Sequence, residues 1–183
     1  MVLIIDDEID ICKSIQRFLE LKGIDAVYSQ NPNDAESLID KHKIKLLILD
    51  IKMPEINGIE LIIKIKTTTP DLEIVVLSAF PSENNIANSY KKGASSFLSK
   101  PIDDWDAFLN TILFYLNKTV IDKILLALKS RDSITLAELE ILTNIDYNLI
   151  RHLIDINNYQ NIEKISYIDI HKKSIVQLKI EIK

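Results

Sequence analysis

The chain has 183 residues, of which 47% are hydrophobic and 27% are charged, a balance typical of a globular protein with room for two domains. No apolar run approaches the roughly 20 residues that span a bilayer, and the acidic amino terminus has no signal-peptide pattern, so we expect no membrane association and a cytoplasmic location. The net charge of −5 comes from residues 1–118, with 13 Lys/Arg and 18 Asp/Glu, whereas residues 119–183 hold 9 of each; the acidic front part argues against nucleic-acid binding there.

The front part of the chain alternates short apolar runs with amphipathic segments. The runs predict strands at 2–5, 24–28, 44–49, 74–77 and 95–98. The segments between and after them have the 3.6-residue period of helices and lie at 9–21, 33–42, 58–66, 82–92 and 103–116. This alternation predicts an α/β fold, a doubly wound five-stranded parallel sheet covered by helices on both faces. Cys12 shares the apolar face of the first helix, which favours a buried, unreactive thiol.

The pattern changes near residue 117, so we predict one domain over 1–117 and a smaller one over 118–183. The second begins with helices at 120–130, 135–142 and 146–157, and either Ser133 or Thr135 is the expected cap of the middle one. Strict alternation then predicts two strands at 165–170 and 174–182, joined by a turn. Three helices and a terminal hairpin make up this domain.

Three carboxylates follow the ends of two predicted strands. Asp6 and Asp7 follow the first strand, and Asp50 follows the third. In a doubly wound sheet of order 2-1-3-4-5, these strands are neighbours, so their carboxyl ends bring the side chains into one crevice. Carboxylate oxygens suit Mg²⁺, which relieves the mutual repulsion of close acids. The alternative is that the acidic stretch from Asp6 to Glu8 is a solvated cap of the first helix.

Two more polar groups belong to the same edge of the sheet. Ser78 ends the fourth strand, and Lys100 follows the fifth, just before Pro101, whose peptide bond is one of the few that can be cis. Taken singly, each is more often a structural residue. Together with Asp50 they form a set suited to phosphoryl transfer: a nucleophile, a metal clamp, a hydroxyl and a cation.

These residues resemble the receiver domain of two-component response regulators. The matching pieces occur in the family's order over residues 1–117: Asp6-Asp7, Asp50 with Met53-Pro54 and Gly58, Ser78-Ala79, Gly93-Ala94, and Phe97 with Lys100-Pro101. The resemblance implies that Asp50 accepts a phosphoryl group from a histidine kinase. It also implies a flavodoxin-like fold for this domain.

The resemblance assigns the other roles residue by residue. Asp6, Asp7, Asp50 and the backbone carbonyl of Lys52 would bind Mg²⁺, and Lys100 would pair with the phosphoryl oxygens. Ser78 would move to hydrogen-bond the phosphoryl group, and Phe97 would turn inward as the switch. Phe97 has no hydroxyl, unlike a tyrosine at this position, and as a core residue it would serve equally well.

Two neighbouring residues are expected to control the lifetime of the phosphorylated state. Lys52 lies two residues after Asp50, and Phe80 lies two residues after Ser78. We expect the Phe80 ring and the Lys52 chain to shield the acyl phosphate from water and to slow its hydrolysis.

The rear domain resembles a compact winged helix with a helix-turn-helix at 136–157. A set of candidate nucleic-acid contacts would point outward from its second helix and from the wing tip: Tyr147, Asn148, Arg151, His152, Lys172 and Lys173. Against DNA binding, Asp146 and Asp155 offset Arg151, and no glycine occupies the turn, where Asn144 is the nearest substitute.

The sequence therefore predicts a response regulator whose phosphorylation switches an output domain, with transcriptional control through DNA as the first interpretation. The alternatives are a phospho-dependent protein-interaction or dimerisation module and a phosphate sink. A homodimer through the fourth helix, fifth strand and fifth helix is a further expectation. Enzymatic activity is not expected, because a receiver only accepts and loses its own phosphoryl group.

Overall fold

The computed structural model describes residues 1–54, 56–129, 134–159, 164–170 and 173–179. The chain divides into two compact units, Met1–Ile112 and Leu113–Lys183. The division falls within the fifth helix, a few residues before the boundary predicted at 117. Among the described helices, none is long and apolar enough to cross a membrane.

The first unit alternates strands and helices. In chain order its elements are β1 (Val2–Ile5), α1 (Ile9–Leu21), β2 (Ala26–Ser29), a 3-10 turn (Pro32–Asp34), α2 (Ala35–His42), β3 (Leu46–Leu49), α3 (Gly58–Thr68), β4 (Glu73–Ser78), α4 (Glu83–Lys91), β5 (Ser96–Ser99) and α5 (Trp105–Leu116). The five strands are parallel in the order β2-β1-β3-β4-β5. The predicted α/β class and the expected strand order are confirmed.

The register of the central strands determines where the polar edge lies. Ile5 pairs with Leu49, so Asp6 and Asp50 follow neighbouring positions. The amide of Asp50 donates to the carbonyl of Ile5 at 2.9 Å and extends the ladder by one residue. Because β1 and β3 are buried along their whole length, they form the middle of the core.

The core beneath one face of the sheet joins β1, β3 and β4 to α2 and α3. Its buried members are Leu3, Ile5, Ala35, Ile39, Ile44, Leu47, Leu49, Ile51, Met53, Leu61, Ile62, Ile65, Leu72, Ile74, Val76 and Ala94. On α1, the apolar residues predicted to share a face are buried: Cys12, Ile15 and Leu19. This confirms the 3.6-residue period read from the sequence.

Two predicted strands begin later than expected because their first apolar residues belong to helix ends. The amide of Ile24 donates to the Leu19 carbonyl at 2.9 Å, and Gly23 before it has a left-handed φ of +75°. In the same way, the amide of Ile44 donates to Ile39 at 3.1 Å after the left-handed Lys43. Both are Schellman-type ends, in which an apolar residue just past the helix packs back on it.

The second unit contains α6 (Lys118–Lys129), β6 (Ile134–Thr135), α7 (Leu136–Thr143), α8 (Tyr147–Tyr159), β7 (Lys164–Ile170) and β8 (Lys173–Lys179). The strands form an antiparallel sheet of order β6-β8-β7. Three helices and two paired antiparallel strands lie in the described parts of the predicted segments, whereas residues 130, 171–172 and 180–182 of those predictions lie outside the described residues. The short strand β6 was not predicted. Its two residues pair with Val176 and Ile175 and are too few to show a sequence period.

The core of the second unit brings its helices together over the short strand β6. Its buried residues are Phe114, Ile121, Ile124, Leu125, Ile134, Leu136, Leu139, Ile150, Leu153 and Ile154. Thr135 caps α7 in a complete capping box with Glu138, which resolves the choice between Ser133 and Thr135 in favour of Thr135. Ser133 itself lies outside the described residues. Asn144 ends α7 with a left-handed φ of 55°, as expected of a glycine substitute.

Candidate functional site

The carboxyl edge of the first unit's sheet carries two buried acids on neighbouring strands. Asp6 is 1% exposed and Asp50 is 5% exposed. Asp6 Oδ1 accepts a hydrogen bond from the amide of Glu8 at 3.0 Å, and Asp50 Oδ1 accepts one from the amide of Lys52 at 2.9 Å. Each acid thus lies in a turn of its own backbone, with its second oxygen directed elsewhere.

Those second oxygens meet the ammonium of Lys100. Lys100 Nζ lies 2.7 Å from Asp6 Oδ2 and 2.7 Å from Asp50 Oδ2. The lysine is positioned by the end of β5, where its amide donates to the Ser78 carbonyl at 2.9 Å. The Lys100-Pro101 peptide bond is cis, the isomer that the sequence allowed.

Burial and charge oppose each other in this cluster. Burial raises the pKa of Asp6, and it outweighs the lowering by the Lys100 ammonium and the Glu8 amide. For Lys100, burial lowers the pKa, but hydrogen bonds and attraction from Asp50 and Asp6 together outweigh it, so the pKa of Lys100 is raised. Lys100 is therefore cationic at neutral pH, and the cluster keeps an excess of negative charge.

The acids form a group with the composition of a hard-cation site. Asp6, Asp7 and Asp50 each offer an oxygen, and these oxygens lie within 4.8 Å of one another. Three carboxylates and a single ammonium leave uncompensated negative charge in a largely buried crevice. Clustered carboxylate oxygens match the preference of Mg²⁺ for hard oxygen ligands. The residues present therefore fit the expected ion.

Ser78, the last residue of β4, and the two predicted shielding residues on the loops after β3 and β4 lie around this cluster. Ser78 is fully buried, and its Oγ accepts a hydrogen bond from the Phe80 amide at 3.2 Å. The ammonium of Lys52 lies over the Phe80 ring, 3.5 Å from its centre. Lys52 also forms a β-bridge with Asn57, which closes the loop after β3.

Phe97 lies on β5 and is partly buried against the core of the first unit. It pairs in register with Val76 on β4, two residues before Ser78. This position is compatible with either of the roles considered for Phe97, a core residue or a switch.

Gly58 matched the receiver family in sequence, and its position in the structure explains why the residue is a glycine. A Cβ atom on Gly58 would lie 2.5 Å from the Asp50 carbonyl oxygen and 2.5 Å from Ile51 Cα. The first residue of α3 therefore packs directly on the backbone of Asp50, where only glycine fits.

Cys12 supports the same edge from below. Its thiol donates to the carbonyl of Asp6 at 3.3 Å and is completely buried. Burial, reinforced by the nearby charge of Asp6, raises the pKa of Cys12 to about 12. The prediction of a buried, unreactive thiol agrees with this environment.

Glu8 is the contact that sequence reasoning missed. Its Oε1 lies 3.4 Å from Lys100 Nζ, so the lysine has three carboxylate partners. The sequence signal was available, because Glu is a poor residue for the N-cap position that it occupies before α1.

The candidate contacts for nucleic acid lie in the second unit. Asn148, Arg151 and His152 are exposed on α8, and Tyr147 is the first residue of that helix. Lys173 is the first residue of β8, whereas His171 and Lys172 lie outside the described residues. Asp146 Oδ1 accepts hydrogen bonds from the amides of Asn148 and Leu149, so this acid caps α8.

A parallel sheet of order β2-β1-β3-β4-β5 with paired acids and a lysine at its carboxyl edge is a doubly wound α/β fold whose polar crevice lies at the topological switch point. The response regulator receiver domain family matches residues 2–112, and the chain belongs to that family.

One relative and two solved structures illustrate what the chain is similar to. The chain is 30% identical over 102 residues to the transcriptional regulatory protein ZraR of Klebsiella oxytoca, a match that covers 56% of this chain but 23% of the relative. The chain thus spans less than a quarter of that protein's length.

Solved structures are similar to about two thirds of this chain. A crystal structure of a two-component response regulator from Clostridium difficile is 28% identical with a TM-score of 0.61, and covers 64% of this chain and 96% of that one. The solution structure of the beryllofluoride-activated NtrC4 receiver domain dimer is 32% identical with a TM-score of 0.60, at 64% and 96% coverage.

Proposed function

We propose that Asp50 is the phosphoacceptor of a two-component response regulator. One observation carries the proposal: the buried ammonium of Lys100 lies 2.7 Å from both Asp50 and Asp6 at the switch point of the sheet. A lysine held there neutralises the negative charge of the Asp50 carboxylate and of a phosphoryl group bound to it. Asp50, the proposed nucleophile, lies in the crevice. The hydrogen bond from its amide to the Ile5 carbonyl holds its backbone in place.

The donor is the phosphohistidine of a partner histidine kinase. An oxygen of Asp50 attacks the phosphorus, the new P–O bond forms, and the P–N bond breaks. The departing imidazole takes the electron pair and acquires a proton from solvent. Such a transfer depends on the alignment of the reacting groups and on neutralisation of the charge on the phosphoryl oxygens, and Lys100 contributes to both. Because the chain accepts and loses only its own phosphoryl group, we do not class it as an enzyme.

Asp6, Asp7, Asp50 and the backbone carbonyl of Lys52 are the proposed ligands of Mg²⁺. When bound, the ion neutralises the negative charge shared by the acids and the phosphoryl oxygens. The hydrogen bond from the Glu8 amide holds the buried Asp6 carboxylate in a fixed orientation. Asp7 is less buried, and its backbone carbonyl accepts a hydrogen bond from Gln30 at 2.7 Å, which fixes the loop that presents it.

Ser78 and Phe97 are the proposed switch residues. Phosphorylation adds roughly −1.5 to −2 charges, and Ser78 would exchange the Phe80 amide for a phosphoryl oxygen. Phe97 would then turn inward and alter the face made by α4, β5 and α5, which we propose as a homodimer surface. The NtrC4 structure supports this in general terms, because it is a receiver domain dimer in an activated state.

The second unit is the proposed output domain, with the order of elements of a winged helix. Transcriptional control is the favoured output because the relative ZraR is a transcriptional regulatory protein. The candidate DNA contacts are Tyr147, Asn148, Arg151, His152, Lys172 and Lys173, with α8 entering the major groove and the wing contacting phosphates.

A protein-interaction output is the second candidate, and a specific observation favours it. Ile141 is 80% exposed on α7, and Leu142 and Leu149 are also exposed. Apolar side chains of this size at the surface suit a protein partner better than a phosphate backbone. Asp155, exposed on the same helix as Arg151, further reduces attraction to DNA.

Acetyl phosphate with Mg²⁺ tests the phosphoacceptor. Intact-mass measurement should show one added phosphoryl group on the wild type and none on Asp50→Ala. A normal gain by the variant would refute the assignment of Asp50.

A salt-titrated DNA-binding assay tests the output, using the protein with and without beryllofluoride. Binding that is stronger with beryllofluoride and that weakens steeply with salt is the expected result. Absence of binding at low salt in both states would refute transcriptional control through DNA and leave the protein-interaction candidate.

A further inference from the structure

Glu8 occupies the N-cap position of α1 without acting as a cap. Its backbone is extended, with φ −87° and ψ 103°, as an N-cap requires, but its side chain makes no capping hydrogen bond. Ser, Thr, Asp or Asn at this position would accept a hydrogen bond from one of the free amides of the first turn. Glutamate is therefore not the best capping residue for this position, and the contacts of its side chain supply another reason for its presence.

The Glu8 side chain reaches across the crevice to Lys100. Its Oε1 lies 3.4 Å from Lys100 Nζ, although the two residues are separated by 92 positions in the chain. The backbone of Glu8 acts on the same cluster, since its amide donates to Asp6 Oδ1 at 3.0 Å. Both parts of the residue thus bear on the charged groups around Asp50.

The geometry gives the Lys100 ammonium one carboxylate for each of its three protons. Asp6 and Asp50 are close and buried, whereas the Glu8 side chain is 61% exposed and more distant. Asp6 and Asp50 also belong to the group of acids that fits a cation, and Glu8 does not. The Glu8 carboxylate is therefore the partner of Lys100 that is neither a proposed metal ligand nor the proposed phosphoacceptor.

We propose that Glu8 is a positioning residue, which keeps the Lys100 ammonium beside Asp50 while Asp6 and Asp50 engage other groups. The inference rests on the proposed role of Asp50 as phosphoacceptor and adds a residue to it. Without Glu8, Lys100 retains two partners that both change their contacts during phosphorylation. The ammonium then spends less time where the phosphoryl oxygens need it.

Removal of a negative charge near the site is the effect that must be separated from positioning. Asp10 provides the matched control, because it lies in the first turn of the same helix and is exposed. The partners of Lys100 in the described structure are Asp6, Glu8 and Asp50, so Asp10→Asn removes an equal charge without touching the lysine.

The experiment is a double-mutant cycle on the full chain. The initial rate of Asp50 labelling by acetyl phosphate at saturating Mg²⁺ is measured for Glu8→Gln and Asp10→Asn, each alone and combined with Lys100→Met. We expect Glu8→Gln to slow labelling about threefold when Lys100 is present, the size of a partly exposed ion pair, and to have no effect in the Lys100→Met background. Asp10→Asn should leave the rate unchanged in both.

A second measurement keeps the test decisive where Lys100→Met labels too slowly to follow. The free energy of unfolding in urea without Mg²⁺ should fall with Glu8→Gln only while Lys100 is present. Equal effects of Glu8→Gln in both backgrounds, or equal slowing by Asp10→Asn, would overturn the inference. Wild-type protein that takes no label on Asp50 would instead overturn the proposed function.

Discussion

The ammonium of Lys52 lies 3.5 Å from the centre of the Phe80 ring, within the range of a cation–π contact. Both residues are bound through their backbones to the site, because the Lys52 amide donates to Asp50 and the Phe80 amide donates to Ser78. Phe80 is nevertheless 52% exposed. The pair therefore forms a cover at the solvent side of the two site residues.

This cover predicts slow hydrolysis of the phosphorylated protein. Phe80→Glu replaces the ring with a carboxylate that admits and orders water, so we expect label to be lost from Asp50 about fivefold faster, which corresponds to roughly 1 kcal/mol of lost shielding. The measurement is the decay of radiolabelled protein after removal of acetyl phosphate.

Tyr90→Glu is the control for Phe80→Glu, since Tyr90 is an exposed aromatic residue on α4. Its decay rate should match the wild type. Equal decay in Phe80→Glu and the wild type would show that the Lys52–Phe80 contact has no part in the lifetime.

Asp6 makes the stability of the metal-free protein depend on pH. Burial raises the pKa of Asp6 from 3.8, so the folded state holds this proton more tightly than the unfolded state. Stability is therefore lost as the pH rises through the raised pKa, and the full cost is present above it. Asp6→Asn removes that cost and should raise the free energy of unfolding by about 1 kcal/mol at pH 7 without Mg²⁺.

The pH profile of Asp6→Asn contains its own control. Below pH 3.8 the side chain is protonated in both states of the wild type, so the advantage of the variant should vanish there. Urea unfolding at a series of pH values measures the difference. A variant that is less stable than the wild type at pH 7 would show that the ion pair with Lys100 outweighs the burial of Asp6.

The positions of β1, β3 and β4 were predictable because their apolar runs are long enough to show burial, and the proximity of Asp6 and Asp50 followed from the expected strand order. The errors lie where one residue serves two elements. Ile24 and Ile44 look like strand residues in sequence but complete the ends of α1 and α2. Short pairing such as that of β6 leaves no period to detect.

Contacts between distant polar side chains were less accessible to sequence reasoning. Lys100 was placed at the right edge by its strand, but its contact with Glu8 depends on a side-chain direction across 92 residues. The Lys52–Phe80 contact was anticipated only as two residues near one path for water. In both cases the strand ends determine which loops meet, and the side-chain geometry then selects the partner.

The buried thiol should resist modification in the folded protein. At a pKa of about 12, roughly one Cys12 thiol in ten thousand is ionised at pH 8, and burial also blocks access. We expect no adduct with iodoacetamide over an hour in the native protein and one adduct in urea, measured by intact mass. Rapid modification of the native protein would mean that α1 separates readily from β1.

Gly58 and Gly23 are glycines for two different reasons: Gly58 has no space for a side chain, and Gly23 has a left-handed backbone. At Gly58 an added Cβ would lie 2.5 Å from the Asp50 carbonyl oxygen, so Gly58→Ala should cost about 3 kcal/mol of unfolding free energy and slow the labelling of Asp50, whose backbone must shift. Gly23 has a φ of +75° with open space around it, so Gly23→Ala should cost about 1 kcal/mol and leave labelling unchanged. Urea unfolding and acetyl phosphate labelling measure both variants. Normal labelling of Gly58→Ala would show that the Asp50 backbone tolerates displacement.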